Sequence, residues 1–303
     1  FSSLIGLFLL MGVGWVSVKT KIVPPAASAP MSSLLLKVTL PCTIFSSLAT
    51  REFDSAFLVD GVIIIVIGLV LFPLYAALSW GISKVLKVPA GRRGIWSFGA
   101  TFCNNGFMGF PVALALFGEE GLALAVMFGV PFNLLVYTLG VRMVCADCGT
   151  DAQPVNLVRT LLSNINIALI LSLIFYVGQI PLPEALMTPV THLSNVTTPL
   201  SMFVTGMTLA SGKGTELFRD KDAYTATGMR LIVVPLLTWA VMSLLPLSNP
   251  LIASIVLITM AAPSVTTILA ETYNGNRGLA AKIVFLTSLF CMITLPLVAM
   301  FLL

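Results

Sequence analysis

Long apolar segments separated by short polar ones run along the whole chain. Each apolar segment has about 20 residues or more, which as an α-helix is enough to cross the hydrocarbon core of a bilayer. Apolar and polar residues do not alternate within these segments, as they would in the strands of a membrane β-barrel. The pattern therefore predicts an all-α integral membrane protein with ten transmembrane helices. The predicted spans are residues 1–18, 32–50, 55–83, 92–117, 120–143, 157–180, 189–210, 223–246, 249–272 and 278–302.

Composition supports this class. Hydrophobic residues make up 58% of the chain and charged residues 9%, whereas a soluble domain is typically about 25% charged. The long run at 55–83 is too short for two spans, so we predict one tilted helix there. The ten predicted spans divide into two units of five helices, at 1–145 and 157–303, which a short cytoplasmic linker at 146–156 joins.

The two halves share short motifs at nearly the same offset. A Pro-x-x-x-Phe motif that begins at Pro41 recurs 158 residues later at Pro199, and a Gly-Leu-Ala tripeptide that begins at Gly121 recurs 157 residues later at Gly278. Because five is an odd number of spans, the second unit would enter the membrane from the opposite side, as in inverted-repeat transporters. Chance matches in an apolar, low-complexity sequence are the alternative.

The fourth predicted span of each unit contains helix-breaking residues. Residues 103–111 read Cys-Asn-Asn-Gly-Phe-Met-Gly-Phe-Pro, and residues 261–267 read Ala-Ala-Pro-Ser-Val-Thr-Thr. Proline lacks an N–H donor and clashes with the preceding turn, so Pro111 and Pro263 are each expected to split a helix in two. Unwound backbone survives at membrane depth only inside the protein or beside a water-filled cavity. These segments are therefore the candidate functional site, and a simple packed proline kink is the alternative.

The chemistry of these segments suits an anion. A helix N-terminus presents free N–H groups and the positive end of a dipole, so paired half-helices can bind an anion without a formal positive charge. The amides of Asn104 and Asn105 add donors and acceptors. The candidate substrate-binding residues are Asn104, Asn105, Gly106, Gly109, Pro111, Pro263, Ser264, Thr266, Thr267, Thr43, Asn133 and Tyr137. For the last three, a hydrogen bond to a helix backbone is an equally good explanation.

Acidic residues and histidine are absent from both helix-breaking segments. Proton-coupled carriers usually have such residues at membrane depth, so the sequence leaves the coupling ion open between Na⁺, H⁺ and none. No cofactor and no metal site are predicted, and no nucleophile, base or metal set at credible spacing indicates an enzyme. The net charge of +4 is explained by membrane topology, so no nucleic-acid partner is expected.

Lysine and arginine fall almost entirely in alternate loops. These residues are Lys19, Lys21, Lys84, Lys87, Arg92, Arg93, Arg142, Arg159, Lys213, Arg219, Lys221, Arg230, Arg277 and Lys282. The opposite loops hold little beyond Arg51. The positive-inside rule then predicts that the basic loops are cytoplasmic and that both termini lie outside the cytoplasm.

Several of these motifs resemble the auxin efflux carrier family, especially its bacterial members, within a wider bile acid/auxin carrier-like superfamily. The resembling segments are 104–111, 113–118, 121–125, Leu40-Pro41 with 45–49, and 262–264 with 270–273. The resemblance extends over essentially the whole chain.

The resemblance implies a secondary transporter of ten helices in five-plus-five inverted repeats, with helices four and nine broken and crossing at their prolines. Plant relatives export the auxin anion, and bacterial relatives are associated with malate, malonate and similar carboxylates. Asn104 corresponds to the substrate-contacting crossover asparagine, and Pro111 and Pro263 correspond to the crossover prolines. Spans one, two, six and seven would form a scaffold, often a homodimer, against which the other spans move.

We therefore predict a plasma-membrane secondary transporter that moves a small organic anion by alternating access, in an elevator-like movement of crossed helices. Three alternatives stay open. One is a sodium-coupled carrier of a larger amphipathic anion, as in bile acid transporters. The others are a passive channel and a receptor derived from a carrier.

Overall fold

A computed structural model describes residues 2–146, 164–211 and 218–301, and these residues are almost entirely helical. The helices are α1 (Ser2–Lys19), α2 (Pro25–Ala49), α3 (Ser55–Val85), α4 (Arg93–Thr101), α5 (Asn105–Cys145), α6 (Asn164–Gly178), α7 (Glu184–Ser211), α8 (Lys221–Leu244), α9 (Pro250–Met260), α10 (Thr266–Thr272) and α11 (Arg277–Phe301). The predicted linker at 146–156 and the start of the predicted sixth span lie almost wholly outside the described residues. The all-α class is confirmed for the part of the chain that is described.

Length and apolar composition make five of these helices candidates for crossing a membrane, namely α2, α3, α5, α8 and α11. The shorter helices α1, α6 and α9 are also apolar. The predicted run at 55–83 is a single helix of 31 residues, as expected. Within α5 the non-helical Gly118 (φ 66°, ψ −158°) separates two helices, at the boundary predicted between 117 and 120. Positive φ at this turn is readily adopted by glycine.

The two predicted helix breaks are both present, but one is displaced. Pro263 lies between the end of α9 and the start of α10, as predicted. The first break is at residues 102–104, and Pro111 lies inside α5. The prediction that Pro111 splits its helix is therefore wrong. A wide π-helical turn at Asn105–Gly109 precedes it, and Pro111 stands at the start of the regular α-helix that follows, where a missing N–H is tolerated.

The helices pack in two groups. In the first, α1 packs against α7, and α2 packs against both α6 and α7. In the second, α3 packs against α4 and α5, α8 against α9 and α11, and α10 against α11. We call these the α1–α2–α6–α7 group and the α3–α5/α8–α11 group. The α2–α5 contact is one of those that join them.

Glycines allow the backbones of α1 and α7 to touch. A Cβ atom at Gly206 would lie 1.9 Å from the carbonyl oxygen of Met11, and one at Gly14 would lie 2.1 Å from the carbonyl oxygen of Phe203. Small residues permit this approach in membrane helices, where dispersion contacts replace the hydrophobic effect as the source of association. The α1–α7 contact therefore depends on both glycines.

An ionic cluster joins the first residues of three helices in the second group. Arg92, just before α4, pairs with Asp220 and Asp222 at the start of α8, and Lys282 of α11 pairs with Asp220 at 2.9 Å. Burial alone would raise the pKa of Asp220, but hydrogen bonds and charge attraction from Arg92 and Lys282 outweigh it. The pKa of Asp220 is lowered from 3.8 to about 2.

Substitution of Gly206 by alanine should weaken the α1–α7 contact. The new methyl group would meet a carbonyl oxygen of the backbone, so the helices must separate, which typically costs about 1–3 kcal/mol. We expect a lower midpoint of thermal unfolding in detergent. Gly6→Ala on α1 is the control, because a Cβ there meets no atom within 4 Å. Equal midpoints for Gly206→Ala and Gly6→Ala would show that the close approach of α1 and α7 does not contribute to stability.

Acid should weaken the ionic cluster as the pH falls from about 4 toward 2. Because folding lowers the pKa of Asp220 from 3.8 to about 2, its contribution is complete above about pH 4 and is lost as pH falls toward 2. We expect wild type to lose about 1–2 kcal/mol more than Asp220→Asn over this range, measured as unfolding midpoints in detergent. Glu271 is exposed, so Glu271→Gln is the control and its unfolding midpoint should change with pH as in wild type. If the midpoints of wild type and Asp220→Asn changed in parallel with pH, the role of Asp220 in the cluster would be contradicted.

Candidate functional site

The two helix breaks lie against each other. The backbone N–H of Asn104 donates to the carbonyl oxygen of Pro263 at 2.6 Å, and Cys103 and Ser264 form an isolated antiparallel β-bridge. Unwound backbone away from water must find hydrogen-bond partners inside the protein. Each break supplies hydrogen-bond partners for the free backbone groups of the other. The two segments therefore form one structural unit, which we call the break contact.

The side chain of Arg230 holds the ends of both helices that lead into the break contact. Its Nη1 donates to the carbonyl oxygen of Thr101, the last residue of α4, at 2.8 Å. Its Nε donates to the carbonyl oxygen of Ala262, just beyond α9, at 3.0 Å. The residue is fully buried. A guanidinium at two helix C-termini satisfies free carbonyls and opposes the negative dipole ends.

One sequence-based interpretation of this region is therefore wrong. Arg230 is counted there among the basic residues of the cytoplasmic loops, but it lies in a π-helical turn at Met229–Val233 within α8. The expectation that the helix-breaking segments bind an anion without a formal positive charge stays a prediction. A signal was available, because Arg230 falls inside the predicted span 223–246, and an intramembrane charge is functional by default.

A cavity of about 150 Å³ lies beside the break contact, between α2, both halves of α5, α6 and α10. Its lining combines aliphatic and aromatic side chains with three asparagines and one tyrosine, and no acidic or basic side chain is among the described residues that line it. The lining residues are Leu36, Leu40, Asn104, Asn105, Gly106, Phe107, Phe110, Gly129, Phe132, Asn133, Val136, Tyr137, Ile165, Val265 and Leu269.

Asn105 is the least satisfied group in this cavity. It is 2% exposed, and neither Oδ1 nor Nδ2 has a hydrogen-bond partner among the described residues. Glycines make room for its amide, since a Cβ at Gly109 would lie 2.5 Å from Oδ1 and one at Gly129 would lie 3.4 Å from Nδ2. An unpaired buried polar group costs about 1–3 kcal/mol. A bound molecule that pairs with both atoms would remove this cost.

Asn104 has a different role from its neighbour. Its Oδ1 accepts from the backbone N–H of Phe107 at 3.2 Å, which caps the first turn of α5. Asn133 and Tyr137 also line the cavity, and Nδ2 of Asn133 lies 3.5 Å from Oδ1 of Asn166 on α6. Of the predicted residues, the structure thus brings Asn104, Asn105, Gly106, Asn133 and Tyr137 to one cavity. Their contact with a substrate stays a prediction.

The other predicted residues lie outside this cavity. Ser264 and Thr266 are buried and hydrogen-bond each other through their hydroxyl groups, and the N–H of Ser264 donates to Thr287 at 3.2 Å. Thr267 begins α10 beside Thr266 and does not line the cavity. The hydroxyls of Ser264 and Thr266 pair with each other beside the break contact, and none of the three residues lines the cavity with the asparagines. Their contact with a shared anion stays a prediction.

Thr43 and Pro111 line a second, more polar cavity of about 320 Å³ between α2, α5 and α7. The hydroxyl of Thr43 also bonds the hydroxyl of Thr197 on α7 at 2.7 Å. Gly109 supports the first cavity without lining it, by leaving space for Asn105. Gly129 has the same role and was missed, because a glycine in an apolar helix carries no distinctive sequence signal.

Loss of the Arg230 guanidinium should destabilise the protein. Arg230→Met would leave two buried carbonyls without a donor, at a combined cost of about 3 kcal/mol. Arg230→Lys keeps the charge but not the planar fork, so it should be intermediate. We expect unfolding midpoints in detergent to fall in the order wild type, lysine, methionine. A methionine variant as stable as wild type would contradict the bridging role.

Comparison with known proteins finds relatives of this chain among membrane transporters. The chain is 23% identical to an uncharacterized transporter of Methanothermobacter thermautotrophicus over 299 residues, which covers 97% of this chain and 96% of the relative. It is 27% identical to an uncharacterized transporter of Methanocaldococcus jannaschii over 297 residues, covering 95% and 94%. Similarity to protein ECM3 of Saccharomyces cerevisiae is partial, at 28% over 45% of this chain and 24% of that protein.

The profile of the membrane transport protein family matches residues 1–154 and 150–299, essentially the whole chain. This match and the apolar helices indicate a multi-pass membrane protein. The resemblance to auxin efflux carriers in the sequence motifs is thereby confirmed at the level of the family. The chain belongs to the membrane transport protein family, the auxin efflux carrier-like family of membrane transporters.

Proposed function

We propose that this protein is a secondary transporter of a small organic anion, and that the anion binds at the amide of Asn105. The observation that carries the proposal is the pair of unsatisfied amide atoms of this buried residue beside a cavity. Buried polar groups in proteins are almost always hydrogen-bonded. A site that leaves both atoms unpaired when empty is matched to a ligand that pairs with both.

The two free atoms define the chemistry of that ligand. Nδ2 offers hydrogen-bond donors and Oδ1 offers only an acceptor. A carboxylate can accept from Nδ2, but it has no proton to give to Oδ1. A 2-hydroxycarboxylate has both groups on adjacent carbons, so one molecule can satisfy the whole amide. We therefore favour small hydroxy acids over malonate and over auxin-like acids, which lack a hydroxyl group beside the carboxylate.

The size and polarity of the cavity agree with a small substrate. Its volume of about 150 Å³ is that of a known engineered cavity that binds benzene. A sterol-sized amphipathic anion is much larger, so the bile acid-like alternative is disfavoured. Asn105 holds the anion through a neutral donor in the lining of this cavity, while Arg230 behind the break contact contributes a fixed positive charge. Neutral donors suit a substrate that must be released.

The packing supports an alternating-access mechanism in a ten-helix inverted repeat. In a five-plus-five repeat α1 corresponds to α6, and α2 corresponds to α7. The α1–α7 contact therefore has the α2–α6 contact as its counterpart, and both are present, as an inverted repeat requires. The cavity lies where α2 and α6 meet α5 and α10, so movement of the α3–α5/α8–α11 group against the other would carry Asn105 past a fixed wall. We further propose the plasma membrane, termini outside the cytoplasm, and a homodimer formed by the α1–α2–α6–α7 group.

Transport of hydroxy acids should exceed that of matched acids without the hydroxyl group. The test compares counterflow of lactate with propionate, and of glycolate with acetate, in proteoliposomes of the purified protein. We expect at least tenfold faster uptake of each hydroxy acid, because a site built to bind a hydroxyl group rejects analogues that leave it unpaired. Replacing Na⁺ and stepping the pH in the same assay identifies any coupling ion. Flux that does not saturate and shows no counterflow would indicate a channel.

Substitution of Asn105 separates substrate binding from folding. Asn105→Leu has a similar volume and removes both unpaired atoms, so stability should be unchanged or higher. We expect it to abolish the preference for hydroxy acids and to reduce uptake about tenfold or more, since one lost hydrogen bond to a charged group is worth about 1.5–3 kcal/mol. Asn104→Ser retains a capping side chain and is the control. Unchanged kinetics in Asn105→Leu would remove Asn105 from the site.

A further inference from the structure

A long apolar groove runs along the outside of α1, between the two packing groups. Its volume is about 700 Å³, and it lies between α1, α7 and α11, away from the cavity at Asn105. The lining residues are Leu9, Met11, Gly12, Val13, Trp15, Val16, Ser17, Ile22, Leu209, Phe285, Leu289 and Met292. From Leu9 to Ser17 the groove follows α1 for about 12 Å at 1.5 Å per residue. Its shape is that of a slot parallel to the helices.

One end of the groove is positively charged. Lys19 ends α1, and its Nζ lies 5.7 Å from the centre of the Trp15 ring, which lines the groove. The turn beyond it includes the exposed Lys21, next to the lining residue Ile22. Tryptophan is enriched at the level of lipid headgroups, and lysines beside it attract anionic lipids. The apolar slot and its basic end therefore match an acyl chain and an acidic headgroup.

We propose that this groove binds an anionic phospholipid, with one acyl chain along α1 and the headgroup at Lys19 and Lys21. Charge complementarity selects this occupant, because a zwitterionic lipid would fill the slot equally well but gain nothing from the two lysines. Each lysine near the surface strengthens binding of an acidic lipid roughly fivefold. Two lysines therefore predict a preference of about 25-fold for the anionic lipid.

The position of the groove also implies that the bound lipid affects transport, and this implication rests on the proposed transport function. Leu209 belongs to α7, while Phe285, Leu289 and Met292 belong to α11. The bound chain would contact both packing groups at once. Its occupancy would therefore bias their relative position, and transport would depend on the fraction of anionic lipid in the membrane.

The test is retention of lipid by the purified full-length protein from vesicles with equal amounts of phosphatidylglycerol and phosphatidylcholine. After detergent extraction, mass spectrometry of the intact protein counts the lipids that stay bound. We expect phosphatidylglycerol to be retained about 25-fold more than phosphatidylcholine. Lys19→Gln combined with Lys21→Gln should keep a bound lipid but lose the preference. Because no step involves flux, this result is independent of the proposed substrate.

A bulky side chain that fills the groove should prevent the lipid from binding. Gly12→Phe places a ring in the groove, where a Cβ meets no atom within 4 Å. Gly6→Phe, equally open but outside the groove, is the matched control. We expect Gly12→Phe to lose retained phosphatidylglycerol and Gly6→Phe to behave as wild type. Equal retention of both lipids by wild type, or undiminished retention in Gly12→Phe, would overturn the proposal.

Discussion

Everything at the centre of this protein depends on the satisfaction of backbone polar groups that two broken helices leave free. In hydrocarbon each unpaired group costs several kcal/mol, so the breaks exist only because they are paired. Asn104 donates to Pro263 across the break contact, and Arg230 supplies donors to Thr101 and Ala262. One guanidinium from a third helix thus holds the ends of two others. Its Nη2 has no hydrogen-bond partner among the described residues, so the two carbonyls satisfy only part of the guanidinium.

The break contact explains why adjacent asparagines serve different purposes. Asn104 is used within the protein, as its backbone joins the second break and its side chain caps α5. Asn105 is one residue further along a wide π-helical turn, so its side chain turns toward the cavity and finds space between Gly109 and Gly129. A residue that is fully satisfied supports structure. A buried residue that is left unsatisfied is available for a ligand.

The sequence was most informative where local chemistry alone decides the structure. Apolar runs predicted the helices, and the helix-breaking segments around Asn105 and Pro263 predicted irregular backbone, because proline and glycine affect the backbone of the turn in which they lie. The position of the first break could not be predicted, since Pro111 is accommodated by the preceding π-helical turn and the break depends on the distant Pro263. The role of Gly129 could not be predicted for the same reason, as it exists only through residues far away in the chain, whereas the position of Arg230 inside a predicted span is a signal that the sequence does carry.

The short helix α4 is fixed to α8 at both ends. At its start Arg92 pairs with Asp220 and Asp222, and at its end Thr101 accepts from Arg230. Between them Trp96 donates to Thr225 of α8 at 2.9 Å. Contacts at the start, middle and end of α4 thus attach it to α8 along its whole length. The ionic cluster and the break contact lie at opposite ends of this one pair of helices.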